Sequence, residues 1–402
     1  MRQRLVVIGN GMAGIRAVEE VLRQAPGRYA ITVFGAEPYP AYNRIQLSPV
    51  LAGDKDLHDI VTHDRAWYGA NGVELFTGTR ISGIDRAARE AITEAGERFP
   101  YDRLIFATGS HPVVLPLPGA GLPGVLAFRD IADVEAMSAA ARRGGRAIVI
   151  GGGLLGLEAA SGLQRQGMSV SVVHLMPSLM ERQLDAEAAD LLRRELERRG
   201  IAIFTSVQTE AILGTDRITG IRFAEGGEIP ADLVVMAVGV RPNADLARAA
   251  GLAVERGVIV DDQLRTSDPA IFAVGECVEH RGICHGLVAP LYAMAEALGG
   301  HFAGLDAAYV PQPVATRLKV SGIDLFSAGD FVGGADTEDL VLSDPGRGVY
   351  RRLVLRGDRL VGAVLYGDAA DGPWYFDLLQ SGRCVAAMRD DLIFGPAFCA
   401  AA

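Results

Sequence analysis

The sequence predicts an α/β protein, with two parallel, doubly wound halves followed by a smaller α+β segment. Two observations predict the halves. An apolar run, a glycine-rich turn and a helical pattern occur twice, as LVVIGNGMAGIRAVEEVL from Leu5 and as AIVIGGGLLGLEAASGLQ from Ala147. Each copy leads into a second apolar strand, at 30–35 and at 170–174. A third observation predicts the final segment: from Tyr309 onward, apolar and polar residues alternate around tight turns, as in antiparallel strands.

The glycines fall at Gly9, Gly11 and Gly14, and again at Gly151, Gly153 and Gly156. Each set follows a strand and opens a helix, which is the context that a dinucleotide fingerprint requires. The first glycine makes the tight turn and the second lets the backbone approach a pyrophosphate. The third lets helix and strand pack closely, so that the phosphates sit at the positive end of the helix. Met12 and Ala13 open the first helix, Leu154 and Leu155 the second. Two fingerprints imply two Rossmann-like dinucleotide-binding domains, and a flavin beside a nicotinamide is the expected pair.

Composition narrows the class. A chain of 402 residues is too long for one ordinary core and suggests two or three domains. No apolar stretch runs about 18 residues without charges or turn residues, so no membrane span is expected. Residues 4–8 enter a strand with no signal peptide before them, which predicts a cytoplasmic protein. Cys277, Cys284, Cys384 and Cys399 are widely spaced and form no C-x-x-C, excluding a disulfide framework and any metal-ligand spacing. A net charge of −10 argues against nucleic-acid binding.

Along the chain, strand 4–8, helix 13–24 and strand 30–35 lead into a long loop rich in Pro, Tyr and Asn. Residues 101–112 read as a buried strand that breaks at Thr108-Gly109. The second unit runs through helix 155–166, strand 170–174 and a charged helix at 185–199, and 228–243 closes that half. The stretch 256–277 reads as strand-turn-strand and suits a return to the first domain. In the remainder, two strand pairs around tight turns precede a helix at 374–388. The expected division is 1–112 with 240–308 for FAD, 113–239 for NAD(P)H, and 309–402 as an α+β domain.

In the first half, Glu37 follows the second strand, where an acid typically binds the adenosine ribose hydroxyls. The stretch AYNRIQLSP (41–49), with Gln46, is expected under or beside the isoalloxazine. Arg44 within it would place positive charge near the flavin or its pyrophosphate.

At this point the motifs GNGMAG, FGAEPYPAYNRIQLS, LIFATGS, GGGLLGLEAA, VGVRPN, TSDPAIFAVGE and GLVAPLY together resemble the two-dinucleotide flavoprotein reductases of glutathione reductase-like fold. Within that group, the chain is most similar to the N-terminal flavin module of NADH-dependent nitrite reductase large subunits and of assimilatory nitrate reductase electron-transfer subunits. The resemblance runs from Leu5 to about Gly395. It implies that Thr108 and Gly109 lie against the FAD adenylate, and that Gly275 and Glu276 bring an amide and a carboxylate to the ribityl and phosphate. It also implies that 287–290, with Val288, begins a helix whose dipole faces flavin N1/O2. Most such flavoproteins carry Asp where this chain has Glu276, but the nitrite reductase-like group also uses Glu.

Departures from the pattern are informative. Residues 38–60 contain no cysteine, so disulfide or peroxide reduction is not expected. Rubredoxin- and ferredoxin-reductase-like relatives often carry a lysine after the Leu-Ser pair, ion-paired with a glutamate of the second fingerprint. Here Leu47-Ser48-Pro49 leaves Glu158 to contact Arg44 or to help position the nicotinamide. Arg44 and Glu158 are thus candidates beside the reacting rings. No general acid or base is assigned, because hydride passes between stacked rings and positioning does most of the work.

The cofactor-selecting position at the end of strand 170–174 is His174, neither an acid nor part of an arginine cluster. The next basic residue is Arg182. NADH is therefore expected over NADPH, with NADPH left open. Gly239 and the following Val240-Arg241-Pro242 are expected at the nicotinamide or the domain junction. No second redox centre is evident, so electrons are expected to leave to a separate acceptor protein: an iron–sulfur protein, a rubredoxin, or a nitrate or nitrite reductase catalytic subunit. A rubredoxin or ferredoxin reductase serving another pathway, such as an oxygenase, is the alternative, and a non-catalytic flavin-binding regulator a minor one. The segment 309–402 is a candidate for docking or for self-association as a homodimer.

Overall fold

The computed structural model describes residues 2–320 and 322–399, with the side chains of 318–320 left aside. Residues 1, 321 and 400–402 lie outside the described residues, the last three at the end of the expected third domain. The chain forms two compact units. One comprises Met1–Val50, Lys55–Val113 and Gly239–Gln312, and the other Leu51–Asp54, Val114–Val238 and Pro313–Ala402.

The first unit is built on a parallel sheet in the order Ile271–Ala273, Arg103–Phe106, Gln3–Ile8, Tyr29–Gly35, Val73–Thr77. Leu5, Val6, Val7 and Ile8 are all buried, as expected of a central parallel strand covered on both faces. The helix Met12–Gln24 contributes Ile15, Val18 and Val21 to the same core. The helix Val288–Ala303 crosses it closely, because a Cβ on Gly299 would lie only 2.7 Å from the Glu20 Cβ. Glu20, buried at that crossing, is satisfied by Arg16 at 2.7 Å, Arg23 at 2.5 Å and Gln24 at 2.8 Å. Ile271–Ala273 pairs with Arg103–Phe106, so the segment after the second fingerprint does return to the first sheet.

The second unit repeats the scheme, in the order Ala202–Phe204, Ser169–Val173, Arg146–Ile150, Leu233–Met236, Val125–Leu126. It also carries a five-stranded antiparallel sheet in the order Ala315–Val320, Ile323–Gly329, Arg359–Tyr366, Val349–Arg356, Glu338–Asp344. That sheet has its own core, including Phe326, Leu353, Leu365 and Tyr375. It is also tied to the helix Ala186–Arg198: Tyr350 donates to the N-cap carboxylate of Asp185 at 2.5 Å, and Tyr366 to the Leu191 carbonyl at 3.3 Å.

Several local expectations need correction. The helix expected at 374–388 spans Gly372–Ser381, because Gly382 caps it in the left-handed region (φ 57°); only a short 3₁₀ turn, Ala386–Met388, follows. Residues 101–112 form two strands, and the second, Ser110–Pro112, pairs antiparallel with Val240–Pro242. The long loop after Gly35 holds a 3₁₀ turn at Arg44–Gln46 and a short helix at Leu47–Leu51. The strand expected at 170–174 ends at Val173, which leaves His174 in the turn. The antiparallel meander Ile81–Asp85, Glu90–Thr93, Arg98–Pro100 and the edge strand Glu338–Asp344 were not foreseen.

Candidate nucleotide-binding sites

In the first unit the strand Gln3–Ile8 ends at Gly9, whose φ of 116° and place 2.0 Å from the Ala107 carbonyl oxygen (measured from a built Cβ) exclude a side chain. Gly14 lies as close to the Gly9 carbonyl, at 2.1 Å, so helix and strand meet without a spacer. Gly11 differs: it caps the helix with extended backbone, and a Cβ there would meet only Arg44 Nε, at 4.0 Å. The helix has no acidic residue in its first turn, and its first bonded amide is that of Ile15, to Gly11 O. Amides of Met12, Ala13 and Gly14 thus head a positive helix end over an open cradle. Between the glycines, Asn10 accepts from the Tyr68 hydroxyl at 2.8 Å, while its buried Nδ2 has no hydrogen-bond partner among the described residues. An open cradle beside an orphaned donor fits the phosphates and polar edge of a dinucleotide.

The structure brings Glu37 and Arg44 to this cradle as an ion pair. The Tyr42 hydroxyl donates to Glu37 at 2.6 Å, and the Arg44 guanidinium lies over the Tyr42 ring, 5.0 Å from its centroid. Gln46 follows in the same 3₁₀ turn, its amide bonded to Asn43 O. Gly275 closes in from another strand end, since a Cβ there would sit 2.8 Å from the Ala13 Cβ. Glu276 accepts from Ser110 Oγ at 2.9 Å. The Thr108–Gly109 break is held by Asn243, which donates to Thr108 O at 2.8 Å and accepts the Thr108 hydroxyl at its own carbonyl, at 2.7 Å. Leu287 caps the helix that begins at Val288, with no acidic residue in its first turn. Gly239 accepts from the Val113 amide at 2.9 Å. Asn243, Ser110 and Tyr42 were not singled out from sequence, although VGVRPN held the signal for Asn243, the residue that follows a proline as the chain returns to this unit.

The second unit copies the three glycines of the first fingerprint, with one change inside the turn between the first two of them. Gly151 has φ 121° and lies 2.3 Å from Ala237 O, Gly156 lies 2.0 Å from Gly151 O, and a Cβ on Gly153 would meet nothing within 4 Å. Gly153 caps the helix Leu154–Arg165, which again has no acid in its first turn. Leu155 is exposed at that end and Glu158 half-buried one turn on. The change is Gly152, where Asn10 stands in the first copy. A Cβ there would meet His174 Cγ at 2.8 Å, so the imidazole lies on the turn itself. The Gly152 amide donates to His174 Nδ1 at 3.0 Å, and His174 Nε2 faces Glu181 Oε2 at 3.1 Å.

The four cysteines are unpaired thiols. Cys277 is fully buried, and burial pushes its thiol up, away from the reactive thiolate. Among the described residues no group of three or more His, Cys, Asp and Glu is arranged to hold a metal ion, and no helix is long and apolar enough to cross a membrane.

Comparison with known proteins fits this geometry. Residues 3–295 match the family of pyridine nucleotide-disulphide oxidoreductases, and residues 313–383 match the rubredoxin NAD+ reductase C-terminal domain. The chain is 51% identical over 380 residues to a nitrite reductase [NAD(P)H] of Bacillus subtilis, covering 94% of this chain and 47% of that protein. It is 44% identical to an assimilatory nitrate reductase electron transfer subunit of the same organism, covering 98% of this chain and 51% of that one. The chain thus spans about half the length of these curated relatives. Among solved structures, a ferredoxin reductase from Rhodopseudomonas palustris matches with a TM-score of 0.87 at 27% identity, covering 96% of each chain. FAD and NAD(P)H are the cofactors of the family that these matches define. The chain belongs to the pyridine nucleotide-disulphide oxidoreductases and is an FAD-dependent NAD(P)H oxidoreductase.

Proposed function

We propose that this chain takes hydride from NADH onto FAD and passes the electrons to a separate redox protein in nitrate or nitrite assimilation. Residues 1–112 and 240–308 hold FAD, 113–239 hold NADH, and 309–402 serve docking or self-association, in a cytoplasmic protein. The observation that carries this is the pair of open helix-end cradles at Gly11 and Gly153, each with room for a pyrophosphate where a side chain would otherwise stand. FAD and NADH supply the redox chemistry when bound, and the chain's own residues bind and orient them. In this reading Arg44, tied to Glu37, sets charge beside the first pyrophosphate, and Asn243 fixes the Thr108 turn against the adenylate. The absence of cysteine from 38–60 and the burial of Cys277 support an acceptor other than a disulfide.

The test is turnover with defined acceptors. The purified chain is expected to reduce ferricyanide with NADH, to leave nitrite and nitrate untouched, and to gain turnover with a nitrate or nitrite reductase catalytic subunit. Robust nitrite reduction by the isolated, metal-free chain overturns the reading. The match of 313–383 to the rubredoxin reductase C-terminal domain favours a second reading, a rubredoxin or ferredoxin reductase for another pathway. Turnover restored by those small carriers but not by the catalytic subunit selects it.

A further inference from the structure

We infer that Glu181, held by His174, is the carboxylate that selects NADH over NADPH in the second unit. The inference rests on the reading of the Gly151–Gly156 turn as the nicotinamide-nucleotide site. In that reading an acid is needed at the end of the second strand, to accept from the adenosine ribose hydroxyls and to repel a 2′-phosphate. His174 occupies the position and cannot do this itself. Its Nδ1 accepts from the Gly152 amide at 3.0 Å, which leaves Nε2 as the protonated nitrogen, donating to Glu181 Oε2 at 3.1 Å. The imidazole therefore works as a spacer, with one edge bonded to the phosphate turn and the other to a carboxylate.

The chain between them is built to bring that carboxylate back. Met180 is fully buried with φ 52°, a left-handed conformation that a methionine adopts only where the surroundings impose it. Its amide donates to Gly152 O at 3.0 Å, so both backbone groups of Gly152 are bonded to the 174–180 turn. Glu181 follows directly. It keeps 31% of its side chain exposed, and its Oε1 has no hydrogen bond among the described residues. Leu175 and Met176, 63% and 42% exposed, leave an apolar surface in the same turn. An acceptor oxygen open to solvent, on a side chain tied to the phosphate turn, is the chemistry that recognises a vicinal diol and rejects a phosphate.

The experiment is calorimetric titration of NAD+ and of NADP+ into the FAD-loaded protein, with wild type, E181Q, E181R, H174N and H174L. Wild type is expected to bind NAD+ at least roughly tenfold more tightly than NADP+. E181Q should narrow that ratio by about fivefold or more, chiefly by tighter NADP+ binding, and E181R should reverse it. H174L should lose the ratio, and so should H174N, whose carboxamide can still accept from Gly152 but carries no donor as far out as Nε2. If NAD+ selectivity is present and E181Q and E181R both leave it within about twofold of wild type, this assignment fails while the nucleotide site stands. If wild type prefers NADP+, the assignment and the NADH reading fail together. If neither nucleotide binds, the reading of the second fingerprint is what fails.

Discussion

The two fingerprint turns share a backbone and differ in what fills the middle of it. In the first, Asn10 stands between the glycines and is anchored through Tyr68, and the acid that follows the second strand, Glu37, lies directly beside the cradle in an ion pair with Arg44. In the second, Gly152 leaves room for the His174 ring, and the carboxylate that meets that ring arrives seven residues later through a left-handed turn at Met180. The glycine positions that shape the phosphate cradle are the same in both. The residues that would read the rest of the nucleotide are supplied by unrelated local solutions. A fingerprint therefore specifies where phosphates go, while the identity of the nucleotide is decided just outside it.

The sharpest way to break the comparison is to fill each cradle. Gly11 and Gly153 both have φ of −82°, so valine is not strained there, and its Cβ would meet nothing closer than Arg44 Nε, at 4.0 Å from Gly11. Gly11→Val is expected to fold yet emerge colourless, with flavin absorbance showing at least a tenfold loss of bound FAD, roughly 1.4 kcal/mol or more. Gly153→Val should stay yellow while NADH bleaches its flavin at least a hundredfold more slowly, about 2.7 kcal/mol in the barrier. A Gly11→Val protein with stoichiometric FAD would remove the flavin assignment.

The middle position sharpens it further. Gly152→Val forces a side chain into His174 Cγ and Leu179 Cδ2, both under 3 Å from the built Cβ, and overpacking of this kind costs about 1–3 kcal/mol. Asn10→Ala combined with Tyr68→Phe removes both partners of one hydrogen bond and a donor with no partner among the described residues, so this double variant should cost about 1 kcal/mol or less. Thermal melts of the two variants give the ranking directly. Equal shifts would mean that the His174 ring moves away freely, contrary to its bonds with Gly152 and Glu181.

These contrasts also mark what the sequence made legible. Strand, turn and helix of each fingerprint were readable because every signal is local: a four-residue apolar run, glycines at fixed spacing, a helical period. Glu37 and Arg44 were readable as neighbours of the cradle, but their ion pair with each other was not, because the intervening 3₁₀ turn has no clear local signature. Glu181 was passed over, since the strand pattern points to its last residue and not to a partner beyond a buried left-handed methionine. Asn243 secures Thr108 from far along the chain, a contact that only the return of the strand Val240–Pro242 creates. The helix after Trp374 was read too long because its apolar pattern continues past Gly382. The edge strand Glu338–Asp344 was missed because its polar sequence, EDLVLSD, carries a weak strand signal.

Inside the second unit, the Asp185 carboxylate is one of the ties between the antiparallel sheet and the Ala186–Arg198 helix, beside Tyr366–Leu191 and Ser343–Glu187, and that tie can be cut. Asp185 accepts from the Ala188 amide at 3.3 Å, from Tyr350 at 2.5 Å and from Arg352 at 3.4 Å. Asp185→Ala leaves the buried Tyr350 hydroxyl without its acceptor and the helix without its cap, for an expected loss of about 2 kcal/mol; Asp185→Asn should lose less. Removing the whole segment at about Leu305 would strip these contacts as well. A docking role for 309–402 is therefore better tested with exposed substitutions, such as Val332→Asp and Val341→Asp, scored on the ratio of protein-acceptor to ferricyanide turnover.

The smallest expected effect compares the acid sensitivity of the two units. In the first, Arg4 holds Asp102 at about 2, through side-chain bonds and its backbone amide at 2.7 Å. In the second, Arg198 and then Arg199 hold Glu195 at about 2, each through bonds of 2.7 Å. Both carboxylates are depressed below their unfolded values, so their contribution is complete above about pH 4.5 and is lost as the pH falls toward 2. Glu195→Gln should therefore cost about 1 kcal/mol at pH 7, because solvent screens a pair on a helix surface, and should cost nothing near pH 2. Asp102→Asn should show the same convergence in a window that starts lower, because an aspartate titrates below a glutamate when unfolded. Chemical denaturation at pH 7, 4 and 2.5 reads both. A Glu195→Gln penalty that stays constant across that range would show that the arginines add no linked stability, leaving only the packing of their side chains.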